Sequence, residues 1–222
     1  MAGAKNAGNT ATPVVEIAPE FATASVSPTV SPTVSPTASA TASPSVSASA
    51  SASVESPSRR ERPTFLRRLT SPIGRLELVG NGTALTALII ETAGRLPNDD
   101  RPENSDEILD RAALQLGEYF AGTRREFDLP VHLVGTAFQR AVWQELSQIR
   151  WGEVASYGEI GLATGRATAG RAVGGAVGAN PIPIIVGCHR VLASNKKITG
   201  YSGGDGVPTK VWLLDHEGIQ HH

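Results

Sequence analysis

The stretch Ser156–Gly178, SYGEIGLATGRATAGRAVGGAVG, decides the fold of the second half of the chain. It opens on a capping box, Ser156 with Glu159, in which each side chain satisfies a backbone N–H that the first helical turn leaves without a partner. The short helix so begun ends near Gly165. A further helix runs from about Ala167 or Ala169 to Gly178. Two short helices with a glycine-containing turn form the local pattern of a helix-turn-helix. In the second of them Ala169, Ala172, Val173, Ala176 and Val177 fall on one stripe, which should pack inward. The opposite face holds Arg171, Gly174, Gly175 and Gly178. Each such glycine weakens a helix by about 1 kcal/mol relative to alanine, so propensity does not explain them. A bare face lets another surface come close. A small-residue seam against another helix is one reading, but it would bury Arg171 without a partner, which is costly. A nucleic-acid groove accommodates both features, with glycines at the wall and the guanidinium inserted. Such an arginine can fill the hole left by a base turned out of the stack.

Toward the N-terminus, Thr136 and Gln139 make another capping box. Phe138, Val142, Leu146 and Ile149 mark the buried stripe of that helix, and Trp151-Gly152-Glu153-Val154 breaks it. Toward the C-terminus, Asn180-Pro181-Ile182-Pro183 is stiff because proline fixes φ. Ile184-Ile185-Val186 reads as a short buried strand, with Gly187-Cys188-His189-Arg190 at its end. A lone cysteine is ordinarily inert filler. Here His189 and Arg190 follow at once, and positive neighbours lower a thiol pKa and raise its reactive fraction. His189 could serve as a base, directly or through a water, with a carboxylate to orient it. Glu217 is a candidate for that carboxylate.

Residues 64–135 read as mixed α/β. Phe65 to Leu69 and Arg75 to Val79 flank Thr70-Ser71-Pro72-Ile73-Gly74, a hairpin connection. Ala84 to Ile90 is a short strand. Ile108, Leu109, Ala112, Leu116, Tyr119 and Phe120 recur at helical spacing before a stop at Gly122. The acidic run Asp99, Asp100, Glu103, Asp106 and Glu107 reads as a solvated loop and helix N-terminus. Nothing in this half looks catalytic.

The whole chain has 222 residues, 20 Lys+Arg against 21 Asp+Glu, and a single cysteine. That balance excludes a global basic field, so any DNA contact must come from a local patch. One cysteine excludes an internal disulfide framework and a cysteine-rich zinc site. No apolar run is long enough to span a bilayer, and the opening residues lack the apolar core of a secretory signal, so a cytoplasmic protein is expected. Of the 38 residues 21–58, 31 are Ser, Thr, Pro or Ala. This composition cannot bury enough apolar surface to offset ordering entropy. Residues 1–62 are expected to be a disordered tail; a mucin-like stalk would need an export signal. The expected organisation is α+β: tail 1–62, an α/β domain 63–133 with a small antiparallel sheet, and a mostly helical, winged-helix-like domain 134–220.

The run Asn180-Pro-Ile-Pro-Ile-Ile-Val-Gly-Cys-His-Arg-Val191 resembles the active-site segment of the O6-alkylguanine-DNA alkyltransferases, the methylated-DNA–protein-cysteine methyltransferases. Gly152 to Tyr157, Gly170 to Ala176, Gly200 to Gly204 and Trp212 to Gly218 are similar to that family in order and spacing. The resemblance implies DNA repair by irreversible, single-turnover transfer of a methyl or alkyl group from O6 of guanine to Cys188 after base flipping, with O4 of thymine as a further candidate. It implies that His189 and Glu217 form a relay with a water, that Asn180 supports the segment around the thiolate, and that Tyr157 protonates the departing guanine. Arg171 would replace the flipped nucleotide, with Gly174, Gly175 and Ser156 at the DNA. Tyr201, Ser202, Val177 and the Val191 carbonyl would surround the base, the carbonyl of Cys188 helping to read its amino group. The partner implied is double-stranded DNA carrying O6-alkylguanine, met by a monomer with no membrane contact. No cofactor is expected, because the lesion is the alkyl donor, and no metal, because Cys188 has no companion cysteine. The family usually places proline before the cysteine; Gly187 permits more backbone freedom, so a less rigidly held thiol is expected. Two rivals are a binder that flags alkylated bases without transfer, and a cysteine hydrolase using Cys188 and His189.

Overall fold

The computed structural model describes residues 64–166 and 170–222. The expected tail, and residues 167–169, where the sequence reading starts the second helix of the pair, lie outside them. Strands β1 (Phe65–Ser71), β2 (Gly74–Gly80) and β3 (Leu85–Ile90) form an antiparallel sheet in the order β1-β2-β3. The hairpin register runs from Phe65 opposite Gly80 to Ser71 opposite Gly74. Its turn needs glycine: Gly74 has φ +101°, and a Cβ there would lie 2.8 Å from the Glu91 carboxylate. Leu76, Leu78, Leu85 and Leu88 point from the sheet into the core.

Helix α1 (Glu107–Phe120) covers that face with Leu109, Ala112, Leu116 and Tyr119, all buried. Its N-cap is Asp106, whose side chain accepts the Leu109 N–H at 2.8 Å. Asp106 and Asp99 thus give the acidic run local work. Asp99 receives Arg75 at 2.7 Å, and that hydrogen bond holds its carboxyl down at about 2.

Helix α2 (Ala137–Gln148) opens on the Thr136–Gln139 capping box. Its Trp143 Nε1 donates to the Ala176 carbonyl at 2.8 Å, fastening it to helix α4 (Gly170–Gly178). Helix α3 (Tyr157–Ala163) carries the Ser156–Glu159 box and packs with α4 as the helix-turn-helix. Two short strands, β4 (Ala155–Ser156) and β5 (Val191–Leu192), pair in parallel and brace the N-cap of α3 against the segment after the cysteine. Helix α5 (Val207–His216) closes the chain. The apolar core is continuous from the sheet through Val142 and Trp143 to Val186 and Leu213. The Leu88 N–H donates to the Pro181 carbonyl at 2.9 Å, so strand β3 anchors the start of the cysteine segment.

Three sequence expectations need correction. Ile184 to Val186 is a turn rather than a strand. Pro181 and Pro183 lack the N–H donors a ladder needs, and the turn bonds to itself, Val186 N–H to the Ile182 carbonyl at 2.9 Å. Ile184 adopts φ +74°, which costs a branched residue about 1–3 kcal/mol, and its fully buried side chain holds it there. Cys188 therefore begins a short 3-10 turn, Cys188–Arg190, instead of ending a strand. On α4, Val173, Ala176 and Val177 are buried as expected, but Ala172 is exposed. That helix buries a narrower stripe than its apolar spacing suggests.

Candidate active site

Cys188 lies in the wall between two cavities. The larger, about 440 Å³, is also lined by Tyr157, Arg171, Gly174, Val177, Tyr201, Ser202 and Lys210. The smaller, about 320 Å³, reaches the same residue from the side of β3 and includes Asn180, Pro181 and Pro183. The cysteine is held by its turn. Asn180 donates from Nδ2 to the Val186 carbonyl at 2.9 Å and accepts the Ile182 N–H at 3.1 Å, and the Cys188 N–H donates to the Val186 carbonyl at 2.7 Å. Gly187 leaves room for a neighbouring side chain. Its missing Cβ is where the Arg190 side chain passes, which would lie 2.9 Å from such an atom.

The expectation of a thiol acidified by His189 and Arg190 is not met. Burial dominates and pushes the Cys188 thiol above its ordinary range. Asn180, the Tyr201 hydroxyl 4.0 Å from Sγ, and the Lys210 charge ease it back. Arg190 contributes little because it is neutralised by Glu217. Its Nε and Nη2 each donate to that carboxylate at 2.8 Å, and its Nη1 to the Ile149 carbonyl at 2.6 Å.

His189 and Glu217 are both fully buried at the side chain, with Nε2 and Oε1 2.9 Å apart. Burial lowers the His189 pKa, so the ring is neutral at rest. Glu217 stays ionised: its bonds to His189 and Arg190 overcome the desolvation that would raise it. A carboxylate can only accept, so Nε2 carries the proton and Nδ1 is left bare. Nδ1 is buried and has no hydrogen-bond partner among the described residues.

Tyr157, at the first position of α3, reaches the cavity, and its hydroxyl accepts from Thr199 Oγ1 at 3.1 Å. Ser202 Oγ donates to the Gly178 carbonyl at 2.8 Å, closing one side. Arg171 is exposed, with no ion-pair partner among the described residues. The seam reading of its face is therefore wrong. A Cβ on Gly170 or Gly175 would meet nothing within 4 Å, and one on Gly174 would touch Tyr157 only at 3.8 Å. Among the described residues nothing demands glycine at these positions.

Some expected residues stand apart from the cavity. Ser156 caps α3 by accepting the Glu159 N–H at 3.2 Å. Val191 is fully buried, and its carbonyl already accepts Lys210 Nζ at 2.6 Å, while the Cys188 carbonyl accepts the Val191 N–H. The expected base-reading carbonyls therefore have internal partners, with only their second lone pairs open.

Two family models match this chain. The DNA binding domain of 6-O-methylguanine DNA methyltransferase matches residues 137–219, and the ribonuclease-like domain of the same enzyme matches 66–133. A methylated-DNA–protein-cysteine methyltransferase of Mycobacterium tuberculosis H37Rv is 46% identical over 151 residues, covering 68% of this chain and 90% of that protein. One from Haemophilus influenzae is 40% identical over 152 residues, covering 67% and 83%. The chain belongs to the methylated-DNA–protein-cysteine methyltransferase family. Its backbone matches the crystal structure of the M. tuberculosis O6-methylguanine methyltransferase with a TM-score of 0.63 at 43% identity, over 70% of this chain and 93% of the other. The M. tuberculosis protein in complex with DNA matches at 0.61 and 44% identity, over 69% and 92%.

Three further residues, whose place the sequence alone does not give, lie against Cys188 and Glu217. Lys210 is almost fully buried, and burial lowers its pKa to about 8. Its direction was findable: Lys210, Leu213, Leu214 and Glu217 share one helical stripe, so the lysine had to point inward. Arg190 stands in the sequence only as a charge beside the cysteine, and no spacing rule pairs it with Glu217. Tyr119 reaches Glu217 from the first half, its hydroxyl donating to Oε1 at 2.8 Å. No described group of His, Cys, Asp and Glu could hold a metal ion, and no described helix is long and apolar enough to cross a membrane.

Proposed function

We propose that this protein repairs duplex DNA directly, moving a methyl or small alkyl group from O6 of guanine onto Cys188. One observation carries the reading: the only cysteine of the chain lines a cavity whose rim is the glycine face of a helix-turn-helix. An acceptor cysteine named by the family's activity must here be Cys188. Glycines that no neighbouring atom requires weaken α4, and a DNA backbone brought close to that face explains them. Arg171, exposed on the same face, enters the stack as the base leaves it.

The base turned into the 440 Å³ cavity meets Cys188 at its inner end. The thiol proton leaves through a water to Nδ1 of His189, whose new charge is balanced by Glu217. The thiolate attacks the alkyl carbon in line, the S–C bond forms as the C–O bond breaks, and the electron pair stays on the guanine. Tyr157 donates a proton to the purine as it departs. Lys210, close enough to favour the thiolate, offsets part of the burial penalty. Tyr201 and Ser202 flank the base, Val177 supplies an apolar wall, and Asn180 keeps the cysteine turn in register. A thioether is a poor leaving group, so each molecule reacts once. We place the boundary between the two domains at 133/134, a reading supported by the family matches to 66–133 and 137–219.

The test is nucleoside analysis of a duplex containing O6-methylguanine after incubation with excess protein, with O4-methylthymine as a second arm. Loss of O6-methylguanine and matching gain of guanine, capped at one per protein, is expected. Bound but unchanged lesion would favour the pure binder, and turnover of an ester without lesion loss would favour the hydrolase.

A further inference from the structure

Glu217 Oε1 takes hydrogen bonds from three directions: His189 Nε2 at 2.9 Å, Arg190 Nη2 at 2.8 Å and the Tyr119 hydroxyl at 2.8 Å. Among the described residues, Oε2 receives only Arg190 Nε. Tyr119 comes from α1, in the opposite half of the chain from Glu217, and its side chain is fully buried. Its ring is fixed edge-on by Phe120, Trp151 and His216, with centroids 5.3, 5.2 and 5.2 Å away, and by tilted Phe127 at 5.6 Å. A ring nitrogen of His216 bonds its backbone carbonyl at 2.8 Å. The hydroxyl therefore has one destination, and its position is set by packing.

We propose that Tyr119 is a positioning residue for the alkyl transfer: its hydroxyl holds Glu217 and draws on its charge, so that His189 stays neutral with Nδ1 bare to receive the thiol proton. This rests on the reaction proposed above and extends it to a residue of the first half. Every donor on Oε1 shares the same negative charge. With Tyr119 and Arg190 engaged, less of it is available to stabilise an imidazolium. Around His189 the charged or titratable groups are Glu217 and Lys210 from α5 and its cap, Arg190 and Cys188 from the 3-10 turn, and Tyr119 behind Glu217. Helix α2, packed against the turn, buries Val142, Trp143 and Leu146, none of which titrates in this range. Removing one hydrogen bond from Glu217 leaves more charge facing His189 and raises its pKa.

Tyr119→Phe deletes the hydroxyl and keeps the ring. The His189 midpoint, read by imidazole NMR in the full-length protein, should rise by about half a unit or more, and the acid limb of the transfer rate should move with it. Half a unit is roughly threefold in rate on that limb. Phe127→Leu is the control, since it loosens the ring's packing but keeps the hydroxyl; it should lower the melting temperature and leave the His189 midpoint in place. Superposable His189 titrations in parent and Tyr119→Phe would overturn the proposal, as would an equal shift in Phe127→Leu. Parent protein that transfers no alkyl group would refute the reaction, and with it any part for Tyr119 in transfer, whatever the NMR shows; the two failures are thus separable.

Discussion

Glu217→Gln isolates the charge at the centre of the buried network. The side chain is fully buried, and it faces a guanidinium that is only 7% exposed. Glutamine keeps the volume but replaces one accepting oxygen by a donating NH2. Wherever that group points, it meets a donor: Arg190 Nε on one side, or His189, Arg190 and Tyr119 on the other. Leaving the guanidinium buried without its counter-charge costs about 3–5 kcal/mol. That loss is smaller than most of the typical domain-stability range of about 5–15 kcal/mol, so a melt of the variant can be followed. At roughly 2–4 °C per kcal/mol for a folded region of this size, its melting temperature should drop by about 6–20 °C near neutral pH. The sign of the pH dependence follows from Glu217 being held below its unfolded value. Its contribution is complete above the unfolded carboxylate pKa of about 4.3 and declines as the pH falls toward the lower folded value. Calorimetric melts of parent and variant should therefore converge as the pH is taken from about 7 to about 3. A variant melting within about 2 °C of the parent at neutral pH, or a gap that widens on acidification, would refute the network reasoning.

Gly175→Ala should raise the melting temperature, since the new methyl meets nothing within 4 Å and alanine favours the helix by about 1 kcal/mol. The same change should weaken binding to duplex DNA in a fluorescence titration, so stability and binding move in opposite senses. Arg171→Ala should slow repair of a flipped lesion by about tenfold or more while affinity for undamaged duplex changes much less, as followed by single-turnover kinetics and gel shift. Lys210→Met removes a charge that favours the thiolate and should raise the pH at which Cys188 ionises, measured as the pH dependence of thiol alkylation.

The helices were legible because their caps and stripes are local. Ser156 with Glu159 and Thr136 with Gln139 both form the boxes their spacing requires. The hairpin at Ser71 to Gly74 was legible from its turn residues, and the bare face of α4 from the placement of its glycines. What failed was long-range or competed with propensity. Three branched residues at 184–186 favour a strand, yet the flanking prolines and the Asn180 clasp make a turn. Ala172 fits the apolar period but not the narrow contact of α4. The reach of Tyr119 to Glu217 spans 98 positions and depends on how α1 lies over α5, which no local pattern encodes. Arg190 filling the space beside Gly187 likewise needed the fold to be seen.

Whether Cys188 is the alkyl acceptor is read most directly by peptide mass spectrometry of the protein after reaction with a duplex bearing O6-methylguanine. A single added methyl group is expected, on the peptide containing Cys188, in no more than one copy per chain. Lesion consumed with Cys188 unmodified, or the methyl group found on any other residue, would contradict it.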